Sequence, residues 1–327
     1  MFIEKFKGKE GILMELQFLG TCAGMPSKAR NTSALVVKLL NEIGENWLFD
    51  CGEGTQHRIL NTSIRPSKIE KVFITHLHGD HIYGLPGLIS SRSFLGGVTP
   101  LKIYGPKGLK QWVDATMSIT GTHVTYPLEI IDVTEGLVFE DTNFKVTAAN
   151  LKHTTRCFGY RIEQKSLPGT LDVNKAKAFG VPFGPLLGEL KSGKDITLDN
   201  GTTIKASDVV SEPKDGFVLT ILGDTKTCPN AVLLAQDADV LVHEATFESS
   251  ESAAAKAHGH STNVQAANVA KKAGVKTLLL NHISARFLDK DAKALEAEAR
   301  EIHSDTHITK DYMAFGWNQK NNQLSKL

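Results

Sequence analysis

The chain has 327 residues, of which 41% are hydrophobic and 22% charged, and its formal net charge is +1. The length is not too great for one large α/β unit, and the composition is ordinary for a soluble globular protein that buries a full core. No run approaches the roughly 18 apolar residues of a membrane span, and the near-neutral charge gives no global sign of nucleic-acid binding while leaving a local basic patch open.

Residues 1–13 lack the apolar segment of a secretory signal and read as a disordered extension or an alternative start. Strand-like segments then recur at Glu15–Leu19, Ala34–Leu39, Trp47–Phe49, Lys71–Ile74, Leu101–Tyr104 and Phe144–Ala149, with helices expected over Leu85–Arg92 and Lys107–Ile119. A second series, Val218–Leu222, Val240–Val242 and Thr277–Leu280, alternates with helical Asn230–Ala235, Thr262–Ala273 and Asp291–Ile302. Two blocks of strands with helices between them predict a layered α/β protein with two sheets. The domain runs over 14–317, with a tail at 318–327. Between the blocks, about 164–213 is poor in apolar periodicity and reads as a long structureless insert, of the kind that is functional or mobile. From Gln164 to Asp195 it carries Lys165, Lys175, Lys177, Lys191 and Lys194 against Asp172, Glu189 and Asp195, a mild basic excess. The dispersed Cys22, Cys51, Cys157 and Cys228 form no CxxC pair, so they read as small buried hydrophobes in a reducing cytoplasm.

The chemistry is concentrated in Thr75-His76-Leu77-His78-Gly79-Asp80-His81, just beyond an apolar strand. His76 and His78 project to one side of an extended backbone, and a tight turn at Gly79 turns Asp80 and His81 towards a second position. A polar loop whose histidines cap helices is the bland alternative, but four ligand-type residues in six positions favour a metal. Imidazole with carboxylate suits zinc, with iron, manganese or nickel as alternatives. Further donors follow later strands: His153, Asp224 and His282. Seven residues suffice for two tetrahedral metals sharing a carboxylate: His76, His78, His153 and Asp224 for one, Asp80, His81, His282 and Asp224 for the other. Such a pair implies hydrolysis by a hydroxide held between the metals. Glu244 and His260 form the expected proton-donating pair. His57, His123, His258, His303 and His307 read as surface or packing residues, and His243 stays open.

These motifs resemble the metallo-β-lactamase superfamily, with its four-layer αββα sandwich, and within it the ribonuclease Z family of tRNA 3′-processing endonucleases in its short bacterial form. The resemblance runs from about Met14 to Trp317. Its marks are Phe18-Leu-Gly-Thr21, Pro26-Ser-Lys-Ala-Arg-Asn31, Phe49-Asp-Cys-Gly-Glu-Gly-Thr-Gln56, the His76–His81 loop, Gly223-Asp-Thr225, His243-Glu-Ala-Thr246, His260-Ser-Thr262 and His282-Ile-Ser-Ala-Arg286. It implies two Zn2+ per subunit (Mn2+ or another divalent metal being possible), and the same seven ligands. It gives Asp80 a proton-acceptor role and the Glu244–His260 pair a relay to the leaving 3′ oxygen. Lys28, Arg30 and Asn31 would meet phosphates of a precursor tRNA, and Arg286 would also contact RNA. The insert with Gly184 and Pro185 would be a flexible arm on the tRNA elbow of a homodimer. Rival readings on the same scaffold are a small-ester, thioester or lactam hydrolase, a catalytically silent RNA-binding protein and an oxygen-reducing di-iron protein.

Overall fold

The computed structural model describes residues 12–40, 43–319 and 321–327. Most of the expected extension, residues 1–11, lies outside the described residues, and the first strand, Ile12–Gly20, starts two residues before Met14. One sheet has the strand order Gln323–Lys326, Ala314–Asn318, Ile12–Gly20, Ala34–Leu39, Glu45–Phe49, Ile69–Phe73, Leu101–Gly105, Leu128–Asp132. The other runs Thr306–Ile308, Thr277–Asn281, Val240–Glu244, Val218–Leu222, Arg156–Gln164, Phe144–Lys152, Gly136–Glu140.

The residue pattern explains the layering of the larger unit, which comprises the described residues up to Phe139, Val146–Ile162 and Val218–Leu327. On the outer face of the first sheet, Ile59, Leu88, Ile89 and Val113 of three helices pack on Val36, Leu48, Val72 and Ile103. On the outer face of the second, Leu234, Ala266, Ala270, Leu295 and Ala299 pack on Leu241, Leu278 and Leu280. Aromatic rings fill the space between the sheets: Phe49 stacks on Phe73 at 4.7 Å, and Tyr160 meets Phe73 edge-on at 5.4 Å. The Tyr160 hydroxyl donates to the Ile74 carbonyl at 2.7 Å, so its polar end is satisfied within the core. The result is the αββα sandwich.

Parallel pairing positions the site. Glu45–Phe49, Ile69–Phe73 and Leu101–Gly105 run parallel in one sheet, as do Val218–Leu222, Val240–Glu244 and Thr277–Asn281 in the other. Parallel strands bring their carboxyl ends to a common edge, where ligands of open α/β sheets collect.

Several expectations need correction. Among the described residues, six strands of these two sheets go unread in the sequence, among them Arg156–Gln164, in which Phe158, Tyr160 and Ile162 are buried. The expected tail contains Gln323–Lys326, hydrogen-bonded antiparallel to Ala314–Asn318. Short, polar edge strands carry little periodic signal. The insert is not structureless either. Glu140–Lys145 and Glu163–Phe217 form a second compact unit with helices Val173–Ala178, Pro185–Lys191 and Ala206–Val209. Its own core contains Ala176, Val181, Leu190, Ile196, Ile204 and Val209. Helices of four to seven residues are too short for a 3.6-residue period to show. Within this unit Gly184 adopts φ 154°, a glycine conformation, immediately before Pro185 opens its helix. Lys175, Lys177, Lys191 and Lys194 are exposed, whereas Lys165 pairs with Glu140 at 2.8 Å.

Candidate metal centre

Each expected ligand lies at or just beyond the carboxyl end of a strand. His76 follows Ile69–Phe73, His153 follows Phe144–Lys152, Asp224 follows Val218–Leu222, and His282 follows Thr277–Asn281. Backbone hydrogen bonds strap the His76–Gly84 segment to its neighbours: Cys51 N–H donates to the His81 carbonyl at 2.7 Å, and Ser33 N–H to the Asp80 carbonyl at 3.1 Å. Gly52 sits under this strap, where a Cβ would lie 2.4 Å from the Asp80 carbonyl oxygen and 2.3 Å from Thr32 Oγ1. Gly52→Ala is therefore expected to displace the Asp80 backbone and lower the metal bound per chain, as measured by elemental analysis after gel filtration; full metal loading would count against the strap. Gly79 has no positive φ, so no left-handed turn requires glycine there; a Cβ would instead meet the exposed Tyr83 ring at 2.1 Å.

The structure brings all seven expected ligands together in two groups. In one, His76 Nε2 and His153 Nε2 lie 3.1 and 3.2 Å from His78 Nδ1, and Asp224 Oδ2 lies 3.6 Å from His76 and 4.0 Å from His153. In the other, His282 Nε2 is 3.3 Å from both His81 Nε2 and Asp80 Oδ2. Asp224 Oδ2 completes that group, at 3.5 Å from His81 and 3.4 Å from His282. A tetrahedral ion with bonds of about 2.0–2.1 Å has ligand atoms roughly 3.3 Å apart. The second group, at 3.3–3.5 Å, matches that edge length, the first spans 3.1–4.0 Å around it, and Asp224 faces both.

Hydrogen bonds behind the ligands assign the ring protons. His81 Nδ1 donates to Asp50 at 2.7 Å and His153 Nδ1 to the Gly259 carbonyl at 2.8 Å. His76 Nδ1 donates to Thr75 Oγ1 at 3.0 Å, which passes its own proton to Asp50 at 2.9 Å. His282 Nδ1 donates to Thr246 Oγ1 at 2.9 Å, which donates to Glu244 at 2.7 Å. Four imidazoles thus turn bare Nε2 lone pairs into the cluster. Lone pairs this close repel unless a cation lies between them, so the donor set fits a metal ion. The backbone is shaped to the same end: His282 (φ 54°) and Asp50 (φ 55°) occupy the left-handed region, which Asn, Asp and His tolerate best among non-glycine residues.

Taken by themselves, the charged and ionisable groups of the cluster compensate one another. Burial holds the pKa of His76 well below the ordinary histidine value. Burial would also depress His81, but Asp224 and Asp50 raise it well above. For Asp80 burial acts upwards, yet hydrogen bonds to His282 and His81 hold its carboxyl well below the usual range. The buried thiols stay protonated: burial pushes Cys51 up to about 12 and Cys157 well above its usual value. Both thiols therefore read as packing residues rather than as thiolate ligands.

Beside the cluster, His260 Nδ1 lies 2.9 Å from Glu244 Oε1 and 4.0 Å from Asp224 Oδ2. Thr262, two residues on, caps helix Asn263–Ala273 in a reciprocal capping box with Gln265, which fixes the chain that carries His260. Burial lowers the His260 pKa, but the Glu244 carboxylate outweighs it and lifts the group to about 9. An imidazolium beside an anionic centre can donate a proton. A cleft of about 320 Å³ opens over the donors, lined by Asp80, Asp224, His260 and His282 among others.

Three expected RNA contacts are engaged within the protein. The Arg30 guanidinium is buried and donates to Thr21 Oγ1 at 2.7 Å and the Thr309 carbonyl at 2.6 Å. Asn31 donates from its side chain to the Glu53 carbonyl at 2.8 Å. Arg286 is paired with both carboxylate oxygens of Glu251. Sequence could not reveal these partners because they come from segments up to 279 residues away. Lys28 is the exposed cation of its loop. Urea unfolding should accordingly find Arg30→Ala less stable by about 2–3 kcal/mol, the scale of buried hydrogen bonds to a charged group, and Lys28→Ala unchanged. Equal stability of the two variants would refute the bracing role of Arg30. Asp50, Thr75 and Thr246 are positioning residues that the sequence reading missed. Their signal was membership of the motifs around Asp50, the His76–His81 loop and Glu244.

The fold and cluster have counterparts among known proteins. The family profile of the anti-Pycsar protein Apyc1 matches residues 14–170. Ribonuclease Z of Streptococcus gordonii is 55% identical over 303 residues, covering 91% of this chain and 98% of its own. The crystal structure of the short form of human tRNase Z matches with a TM-score of 0.66 and 30% identity, covering 92% of this chain and 98% of its own. The metallo-β-lactamase fold protein YhfI of Bacillus subtilis matches with a TM-score of 0.65 and 19% identity, covering 93% and 98%, a likeness of fold. Near-complete coverage in both directions leaves no major part of the chain outside the comparison, and the chain belongs to the ribonuclease Z family, metal-dependent tRNA 3′ endonucleases built on the metallo-β-lactamase fold.

Proposed function

We propose that this chain is a zinc-dependent endoribonuclease that removes 3′ trailers from precursor tRNA. His76, His78 and His153 would hold one Zn2+, Asp80, His81 and His282 a second, and Asp224 both. Two divalent cations bound there supply Lewis-acid activation of water and of the phosphoryl oxygens. The protein's own groups do the rest. Asp80 and Asp224 orient the attacking water, and Asp80 accepts its proton. The water oxygen bonds to phosphorus as the P–O3′ bond breaks. His260, held by Glu244, gives its proton to the departing oxygen, which becomes the tRNA 3′-hydroxyl, while the phosphate stays on the trailer 5′ end. The single observation that carries this reading is the 2.9 Å Glu244–His260 pair, 4.0 Å from Asp224 and open to the same cleft.

In this reading Lys28 meets phosphate near the cut. The second unit, with its exposed lysines and the Gly184-Pro185 turn, acts as the tRNA-gripping arm of a homodimer. Such an enzyme works in the cytoplasm, a setting supported by four free, buried cysteines. Among the described residues no helix is long and apolar enough to cross a membrane.

The test is incubation of the zinc-loaded protein with a 3′-extended tRNA, with both product ends mapped. One cut after the discriminator base is expected, yielding a tRNA 3′-hydroxyl and a 5′-phosphorylated trailer. No cleavage at metal saturation would sink the proposal.

A further inference from the structure

One wall of the cleft is not accounted for by metal or proton chemistry. Phe247 and His258 line it together with His260 and His282. Their rings lie nearly parallel, 7° apart with centroids separated by 6.1 Å, and the Phe247 ring lies 6.0 Å from that of His260. Phe247 is half-buried and His258 exposed. The backbone of Phe247 is fixed on both sides, donating to the Ser261 carbonyl at 3.3 Å and accepting from Asn263 N–H at 3.2 Å. The Arg286 guanidinium lies 5.2 Å from the Phe247 ring centroid and 4.8 Å from that of Phe287, and Glu251 pins it there. Hydrolysis needs neither aromatic ring. A braced aromatic on the wall of a polar cleft, with an exposed imidazole parallel to it, suits the face of a nucleobase.

We infer that Phe247, with His258 parallel to it, is the stacking platform for the base of the nucleotide whose 3′ oxygen leaves, the last nucleotide of the tRNA product. The inference rests on the tRNA-cleaving reading. The leaving oxygen must come within hydrogen-bonding reach of His260. The base on that same ribose is then the one delivered to the ring beside His260. Every base has a π face, so this contact positions the substrate without selecting one base over another. Arg286 becomes a support for the platform rather than an RNA contact.

The test compares cleavage of an intact precursor tRNA with one that is abasic at the last tRNA nucleotide, and with one abasic at the first trailer nucleotide. Zinc-loaded wild type, Phe247→Ala, Phe247→Trp and His258→Ala are assayed, with zinc content measured for each. For wild type, loss of the last tRNA base should lower kcat/KM by about 5- to 150-fold, the range for base–aromatic stacking, and loss of the trailer base by less than about twofold. Phe247→Ala should cut the intact and abasic precursors within about twofold of each other. Phe247→Trp should retain the penalty, and His258→Ala should reduce it. An undiminished abasic penalty in Phe247→Ala, or a wild-type penalty that follows the trailer base, would overturn the assignment. Failure of wild type to cut even the intact precursor would overturn the tRNA reading itself and the platform with it.

Discussion

Replacing Asp224 by Ala is expected to remove precursor cleavage and to reduce the metal held by both donor groups at once. Its Oδ2 lies 3.4, 3.5 and 3.6 Å from His282, His81 and His76, so it is shared between groups that otherwise have no donor in common. The carboxylate is almost fully buried. Burial opposes its charge, but the surrounding imidazoles, His282 first, keep its pKa well below the ordinary range. Without it, five imidazoles and Asp80 remain, with less negative charge to offset two divalent cations. Metal-derived stabilisation of a transition state amounts to several kcal/mol, and about 4 kcal/mol corresponds to a 10³-fold loss of rate. Titration calorimetry with zinc and single-turnover cleavage would measure the two effects. A variant that bound two zinc ions with wild-type affinity would show that the shared carboxylate is dispensable.

The second large effect separates chemistry from metal binding. His260→Ala should lower kcat by about 10² to 10⁴-fold, the usual range for a general acid, while leaving zinc stoichiometry intact. Loss of zinc instead would make His260 a ligand, an outcome that its 4.0 Å separation from Asp224 keeps open to experiment. Glu244→Gln tests the other half of the pair through pH. His260 donates only when protonated, so cleavage must fall as pH rises through its pKa. Against the depressing effect of burial, the Glu244 carboxylate holds that pKa near 9. Removing the charge lowers the pKa, and the alkaline limb of kcat/KM should move to lower pH by about one unit or more. An unmoved limb would assign it to a different group.

Much of the centre could be read from one strand-end loop. His76, His78, Asp80 and His81 are near neighbours in the chain, and their grouping follows from backbone geometry over six residues. His153, Asp224 and His282 were legible for a related reason, since each follows a strand and parallel strands share an edge. Arg30 illustrates the limit. As part of a basic surface loop it reads as a phosphate contact, yet Thr21 and Thr309 enclose it. His258 fails in the opposite direction: a histidine read as a surface or packing residue lines the cleft because Phe247 lies parallel to it.

From sequence alone came the residue types and spacings that a hydrolytic metal centre requires, and the alternation of strands and helices that predicts two sheets. Local rules suffice for these, because side-chain direction along a strand and the placement of a turn depend on neighbouring residues. Tertiary structure decided which polar groups are free to act. Whether a guanidinium meets solvent or a buried carbonyl, which imidazole nitrogen keeps its proton, and which ring faces the cleft all depend on partners distant in the chain. Burial and hydrogen bonding to those partners are properties of the folded whole, so no local pattern encodes them.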